Sequence, residues 1–431
     1  MANRGSVVRH VRVFRFIGRG FWVSLLLLVH GVIWFGGWLG LVISLRPKAR
    51  RQAWFAERFT ALLIALGATF VKVGQIMSTR PDLFPPHVIR SLTRLQDNVG
   101  AFAWRHVERT IEEELGSPIE LLFATFDRTP VASASVAQVH RATLETGEEV
   151  AVKVRRPGLD DLVHFDLSVM RTIAWVVALV PSFRLLAPVE SVDEFGRAIR
   201  DQVDLRIEAR NNERFTAAFA GDPDVGFPVL FPELCSRRVL TMGFIRGAKV
   251  LEAPAKLGAD PTRLARIGFR TLLKMVFADG FVHADLHPGN ILVDDRGKVI
   301  ILDLGLTAEL DAHAKSTFSR FFTAWATRDG KTMAKLMFEG SPSAKVANYD
   351  AYERDVLAFV DRYHGKPLGE VQVSTVAFDM LGILRRHRVR ANPTFTMCNV
   401  AIAVTEGIGK QLDPHLDLVQ EALPFFTRLS G

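Results

Sequence analysis

The chain has 431 residues, 48% of them apolar, and a formal net charge of +8, enough for a large core that divides into lobes. Its two cysteines, Cys235 and Cys398, stand alone with no metal-ligand spacing, which argues against a disulfide framework and fits a reducing compartment. Internal repeats and low-complexity tracts are lacking.

Residues 1 to 50 hold eight basic side chains (Arg4, Arg9, Arg12, Arg15, Arg19, Arg46, Lys48, Arg50) and no acidic one, so the whole excess of +8 resides there. A charge gathered at one end speaks of an anionic surface as partner. Interleaving with Val, Phe, Ile and Trp favours lipid over nucleic acid. Phe21 to Ser44 is almost wholly apolar, and as a helix it would run about 36 Å, enough to cross a bilayer. Arginines at 9, 12, 15 and 19 recur at helical spacing, so an in-plane amphipathic helix competes with a crossing one, and a cleaved signal peptide is the third reading.

Residues 51 to 117 read as helical and 118 to 158 as strand-rich, with a hairpin at Val136 to Leu144 and Thr146-Gly147 at its turn. Glu149 to Val154 is a strand that directs Lys153 toward a phosphate site. Such a lysine needs a carboxylate to hold it, and Glu208, in the helical stretch Val192 to Phe215, is the candidate. Ile173 to Val180 is too short to span a membrane and reads as buried packing. A second strand-rich region follows at 225 to 244. The strand Val239 to Ile245 ends at Arg246-Gly247, a hinge between lobes where a nucleotide would lie. Residues 260 to 431 read as mainly helical apart from one hairpin, Asn290 to Val293 and Val299 to Leu302, turned by Asp294-Asp295-Arg296-Gly297.

The chemistry concentrates around that hairpin, in His283-Ala284-Asp285-Leu286-His287-Pro288-Gly289-Asn290 and Asp303-Leu304-Gly305. ATP phosphates repel a nucleophile, so a divalent ion with hard oxygen ligands must bridge them. Asn290 and Asp303 supply an amide and a carboxylate oxygen for Mg²⁺, which leaves Asp285 to orient or deprotonate an acceptor. A transition-metal site at His283, Asp285 and His287 is disfavoured because Pro288-Gly289 makes a loop. His287 instead reads as a structural histidine bonded to backbone.

Six segments in order carry a resemblance: Lys72-Val73-Gly74-Gln75, Leu95-Gln96-Asp97, Ala132 to His140, Val150 to Gly158, Glu208-Ala209-Arg210-Asn211 and the His283 to Asn290 loop. They resemble the UbiB/ABC1 (ADCK, AarF) atypical kinases over roughly residues 55 to 420, ending in Glu406 to Pro414. The resemblance implies an α+β, protein-kinase-like, two-lobed fold with a helical extension. The expected division is a membrane-associating segment 1–50, the extension 51–117, an N-lobe 118–247 and a C-lobe 248–431. By motif, Lys153, Glu208 and Asp285 are the catalytic set and Asn290 and Asp303 the metal ligands. Ala132, Ser133, Ala134, Ser135 and Val136 match an alanine-rich loop in place of a glycine-rich one, with less access to positive φ. Lys72, Gly74 and Gln75 match the extension's signature, although Lys72 read alone would be a helix-surface lysine. Where the family carries Glu-x-Asp, this chain has Gln202-Val203-Asp204, so a Lys72–Gln202 contact would lack the charge assistance of an ion pair unless Asp201 substitutes. Ala137 replaces the usual Gly.

The implied function is ATP and Mg²⁺ binding by an atypical kinase or ATPase that supports ubiquinone synthesis at a bacterial-type inner membrane, its kinase-like part cytoplasmic. Membrane lipid or a quinone precursor, and quinone-biosynthesis enzymes, are the implied partners. A small-molecule kinase of the aminoglycoside or choline type, and a nucleotide-responsive lipid-handling scaffold, are the alternatives.

Overall fold

The computed structural model describes residues 3–43, 47–81, 83–95, 100–180, 187–341, 346, 348–363 and 373–415. Gln96 and Asp97 of the second motif, and the stretch after residue 415, lie outside them. It is 62% helical.

Four helices open the chain: α1 (Asn3–Ile43), α2 (Lys48–Leu66), α3 (Ala68–Ser78) and α4 (Pro86–Leu92). They share one hydrophobic cluster with two later helices, α7 (Leu159–Ala178) and α8 (Pro188–Val203). Between them come α5 (Trp104–Leu115) and α6 (Ile119–Leu122). Val107 and Ile111 of α5 and Ile119 of α6 pack instead on the first sheet, so the helices around residues 104 to 122 belong with the N-lobe rather than with the extension. The expected boundary at 117 moves upstream accordingly.

That first sheet is antiparallel: β1 (Thr125–Phe126), β2 (Ala132–Ser133), β3 (Ala137–Thr143), β4 (Glu149–Arg155) and β6 (Val239–Gly243), with β4 between β3 and β6. The expected helix Val192 to Phe215 is two helices. Asp204 ends α8 and caps α9 (Leu205–Ala218), its carboxylate accepting from Arg206 N at 3.1 Å. Strand-rich residues 225 to 244 also divide. β5 (Val225–Gly226) joins the C-lobe sheet, parallel to β10 (Val299–Ile301), whereas β6 stays in the N-lobe.

The C-lobe sheet runs β5-β10-β9-β7, with β7 (Gly247–Lys249) and β9 (Ile291–Asp294). Phe244 to Arg246 thus carry the chain from one sheet to the other. Gly247 has no alternative there, because a Cβ would lie 2.1 Å from the carbonyl oxygen of Val293. Gly247→Ala must push two paired strands apart, and we expect a loss of about 3 kcal/mol, read as a lower urea midpoint at unchanged slope.

Helices α10 (Ala253–Leu257) and α11 (Pro261–Leu273) follow, and α11 runs through a π-helical turn into a two-stranded ribbon that sequence reasoning missed, β8 (Phe281–His283) against β11 (Thr307–Glu309). Each has three residues, too few for an alternation signal. Helices α12 (Ala312–Ala326), α13 (Gly330–Glu339), α14 (Tyr349–Tyr363), α15 (Val373–Arg386) and α16 (Pro393–Leu412) complete the chain.

Two findings concern apolar surface. α1 contains one stretch, Gly18–Gly37, long and apolar enough to cross a membrane by length and composition, and only 6% of it is buried. Ile173 to Val180, expected as buried packing, is instead largely exposed: Ala174 is covered, whereas Trp175 is 60% and Val176 52% exposed.

Candidate functional site

Strand periodicity aims the lysine. Val150, Val152 and Val154 of β4 point into the N-lobe core, so Lys153 faces the opposite side. On α9, Leu205, Glu208, Asn212 and Phe215 form one buried stripe, and a carboxylate in such a stripe needs a cation. The two meet: Lys153 Nζ donates to both Glu208 oxygens, at 2.9 and 2.8 Å, and to Asp303 Oδ1 at 3.1 Å. The Asp204 cap fixes the start of the helix that carries Glu208, and α9 also reaches the third partner, because Asn211 Nδ2 donates to the carbonyl of Leu304 at 2.8 Å.

The β8–β11 ribbon and the β9–β10 hairpin aim the remaining groups. Asp285 follows β8, and Asp303 lies between β10 and β11. Leu302 N donates to Asn290 O at 2.8 Å and Ala284 N to Leu306 O at 3.0 Å, so the two loops are laced together. Asn290 spends its amide N–H on the Asp285 carbonyl at 3.2 Å, leaving its amide oxygen for a ligand. His283 is fully buried. Its Nδ1 accepts from Asp285 N at 3.1 Å and its Nε2 faces the Leu302 carbonyl at 3.3 Å, so it is the Nε2–H tautomer, and burial holds its pKa below the ordinary histidine value. His283 therefore shapes the loop. His287 Nδ1 accepts from Gly289 N at 3.0 Å, the backbone role expected of it.

Asp303 adopts φ 51°, an uncommon conformation for a residue with a side chain and one that clusters at functional sites. Its carboxyl sits well below the usual range, held by Lys153 against the opposing effect of burial, with help from Lys72. Glu208 goes the other way: burial raises it and Asp303 adds to that, while Lys153 and Lys72 oppose. For Lys153, burial alone would lower the pKa, but Asp303 and Glu208 together outweigh it and hold it high.

The alanine-rich loop is a tight hairpin. Ala132 and Ser133 pair with Val139 and Gln138, Ala134 N donates to Ala137 O at 2.8 Å, and Ser135 is buried. No residue from 132 to 136 has positive φ. Val136 packs on the extension's cluster. Arg156 clasps the loop from behind, donating to Ala134 O at 3.0 Å and Ser133 Oγ at 3.2 Å, a role the sequence did not single out.

Lys72 of α3 is buried, and its charge is felt at both Glu208 and Asp303, so the extension puts a second cation into the cleft. Gly74 lets α3 pack closely, since a Cβ would meet Leu95 Cδ1 at 2.4 Å and Leu63 Cδ1 at 2.8 Å. Gln75 Nε2 donates to Leu95 O at 3.2 Å. The expected Lys72–Gln202 hydrogen bond is not formed, because Gln202 Oε1 is buried with no partner. Gln202 nevertheless borders the site: a Cβ on Gly305 would be 3.8 Å from Gln202 Cγ and from Glu208 Oε2. Asp201 is exposed, and Asp204 pairs with Arg206 and Arg237. Gln202→Glu would put a carboxylate at the position where the family carries an acid. We expect slower amide exchange over residues 70 to 80, whereas the uncharged Gln202→Met should bring no slowing.

A five-stranded antiparallel lobe, a buried strand lysine paired with a helical glutamate, and a second lobe presenting Asp285, Asn290 and Asp303 on neighbouring loops define a protein-kinase-like molecule. Residues 94–337 match the ABC1 atypical kinase-like domain and residues 356–417 the UbiB helical domain. The chain is 37% identical over 372 residues to the probable protein kinase UbiB of Aeromonas salmonicida, covering 84% of this chain and 68% of that protein. To the probable protein kinase UbiB of Pasteurella multocida it is 33% identical over 408 residues, covering 91% and 77%. The solved complex of Rv3197 with erythromycin from Mycobacterium tuberculosis has the same fold, with a TM-score of 0.54 at 22% identity over 81% of this chain and 90% of that one. The chain belongs to the UbiB family of ABC1 atypical kinase-like proteins.

Proposed function

We propose that the chain binds ATP with Mg²⁺ between its lobes and acts at a membrane surface as an atypical kinase or ATPase of ubiquinone biosynthesis. The observation that carries this reading is the Lys153–Glu208–Asp303 contact, in which three charges from distant parts of the sequence meet in the groove between the sheets. The donor set suits magnesium. Asn290 and Asp303 are hard oxygen ligands, and the Asp303 side chain is 44% exposed, open to a ligand on its outer side. When bound, the ion would neutralise charge on the phosphates. Lys153 would then exchange Asp303 for phosphate oxygens while Glu208 keeps it in place. Asp285 would take the acceptor's proton, and the hairpin of Ala132 to Val136 would cover the phosphates.

The membrane part of the reading rests on α1. Its stretch from Arg19 to Gly37 lies antiparallel to α2: Arg19 donates to Leu66 O at 2.5 Å, and further along the Trp34 ring lies 5.2 Å from that of Phe55, tilted by 38°, while Gly37 abuts Trp54. α2 carries Arg50, Arg51, Glu57 and Arg58, so a helix fastened to it end to end favours the in-plane arrangement over a crossing one. With the lobes on the cytoplasmic face of an inner membrane, ATP is at hand and quinone precursors or their enzymes are within reach. The scaffold reading draws on the extension, whose buried Lys72 charge occupies part of the cleft. Calorimetric titration of the full chain with ATP or ADP and Mg²⁺ is the test. Absence of heat with both nucleotides would remove the reading, and binding with no turnover on any quinone precursor or pathway enzyme would favour the scaffold.

A further inference from the structure

Large apolar side chains left exposed are not scattered over this molecule. Among the described residues there are twenty-one, and sixteen of them lie on α1, on α2, or within residues 173–180, the end of α7 and the two residues after it. The three elements meet at one point. Arg19 of α1 donates to both oxygens of Asp166 on α7, each at 3.0 Å, as well as to the end of α2, and a Cβ on Gly20 would touch the Phe165 ring at 3.5 Å. From Phe165 the helical repeat runs along one side of α7 through Val169, Ile173 and Val176, and Val180 follows just past the helix end. Val169 packs on the cluster shared with α1, whereas Ile173, Val176 and Val180 are exposed, with Trp175 and Leu179 beside them. The bare end of α7 therefore continues the side of the helix on which Phe165 meets α1.

The geometry points to α7 as a second membrane-contacting element: its 173–180 end inserts into the same anionic bilayer surface on which α1 lies. This rests on the in-plane membrane reading of α1 and extends it to a helix within the ABC1 domain. Two features favour lipid over a protein partner. The patch lies on the helix that Arg19 and Gly20 of α1 touch, and α1 has an exposed apolar row of its own that includes Phe21, Leu28, Val32 and Phe35. The neighbouring segment also holds all of the chain's excess positive charge, which suits anionic headgroups. Trp175 at the margin fits the preference of indole for the headgroup boundary. Docking at both α1 and α7 would fix the orientation of the lobes above the bilayer, where α1 alone would leave them free to roll.

The test is spin-label accessibility in the full chain with Cys235 replaced by Ser, since Cys398 is buried. Single labels go on Ile33→Cys in α1, Val176→Cys in α7 and Val229→Cys, an exposed N-lobe position remote from the patch. Vesicles of phosphatidylglycerol and phosphatidylethanolamine are added. We expect labels at 33 and 176 to become several-fold more accessible to oxygen and less accessible to a water-soluble nickel chelate, with 229 unchanged. A lipid-exposed 33 with an aqueous 176 would overturn the α7 contact alone. Spin–spin broadening between chains at 176 would also overturn it, by showing that a second copy covers the patch. If neither 33 nor 176 enters lipid, the membrane reading itself falls.

Discussion

Lys153→Ala is expected to cost both nucleotide affinity and folding stability, and to make stability depend more steeply on pH than the parent's. A charge-assisted contact from a buried ammonium to a phosphate contributes about 1.5–3 kcal/mol, so ATP should bind about 10- to 100-fold more weakly. The stability effect follows from what remains. Without the lysine, Glu208 and Asp303 face each other with Lys72 left to offset them, and removing one partner of a buried pair costs about 3 kcal/mol or more. In the parent, Asp303 has a depressed folded pKa, so its contribution is present above the unfolded value of about 3.9 and is lost as pH falls through the folded one. Lys153 is raised, so its contribution is present below about 10.4 and is lost as pH rises through its folded value. Neither of these boundaries falls between pH 5 and 9, so in the parent it is Glu208, raised by burial, that ties the cluster's stability to pH, contributing at low pH and losing that contribution as pH rises. In the variant, both carboxyls lose the cation that lowers them and their folded pKa values rise. Glu208, already raised, is raised further and contributes stability at low pH that disappears as pH rises through its folded value, with a slope of up to about 1.4 kcal/mol per pH unit, while Asp303 loses part of the contribution its depressed pKa made. Urea unfolding at pH 5.5 and 8.0 should therefore separate the variant from the parent more widely at pH 8.0. Equal differences at the two pH values would mean that Lys153 does not hold the carboxylates.

The parts of this site that the sequence revealed are those in which residue type and local period agree. Lys153 sits where a period-two strand must turn a charged side chain away from Val152 and Val154, and the β9–β10 hairpin follows from its Asp-Asp-Arg-Gly turn. Glu208 was legible as the acid in a helical stretch that a phosphate-site lysine requires, and the buried stripe that carries it shows only in the fold. Hidden were features decided by distant partners. β8 and β11 are strands only because each finds the other across the catalytic loop. Asp204 stops one helix and caps the next, in a pattern whose Asp could equally have served the cleft. Gln202 could be read as bonded to Lys72 from the motif alone, and only packing shows its oxygen unpartnered. Ile173 to Val180 has the composition of a core segment, and composition cannot tell which surface meets it. The helical extension was visible as helix, yet α5 left it for the N-lobe because Val107 and Ile111 fit the sheet.

Asp285→Asn and Asp303→Asn should fail in different ways, and the contrast separates catalysis from nucleotide sensing. Asp285 leaves the loop that His283 and Asn290 hold through its backbone N–H and C=O, so an amide side chain should keep the loop and remove only the proton acceptor. Nucleotide affinity should stay within about twofold, while turnover drops by about 10²- to 10⁴-fold. Asp303 is both a candidate metal ligand and a partner of Lys153 at 3.1 Å. Its amide variant should weaken Mg²⁺-dependent nucleotide binding by at least about tenfold, the equivalent of ~1.4 kcal/mol, and should leave Mg²⁺-free binding less affected. Calorimetry with and without Mg²⁺ measures the first quantity, and ubiquinone content in a deletion strain carrying each variant measures the consequence. A phosphotransferase predicts that both variants lose ubiquinone. If Asp285→Asn restores it fully while Asp303→Asn does not, the bound nucleotide acts by stabilising a conformation, and Asp285 performs no proton transfer that the cell requires.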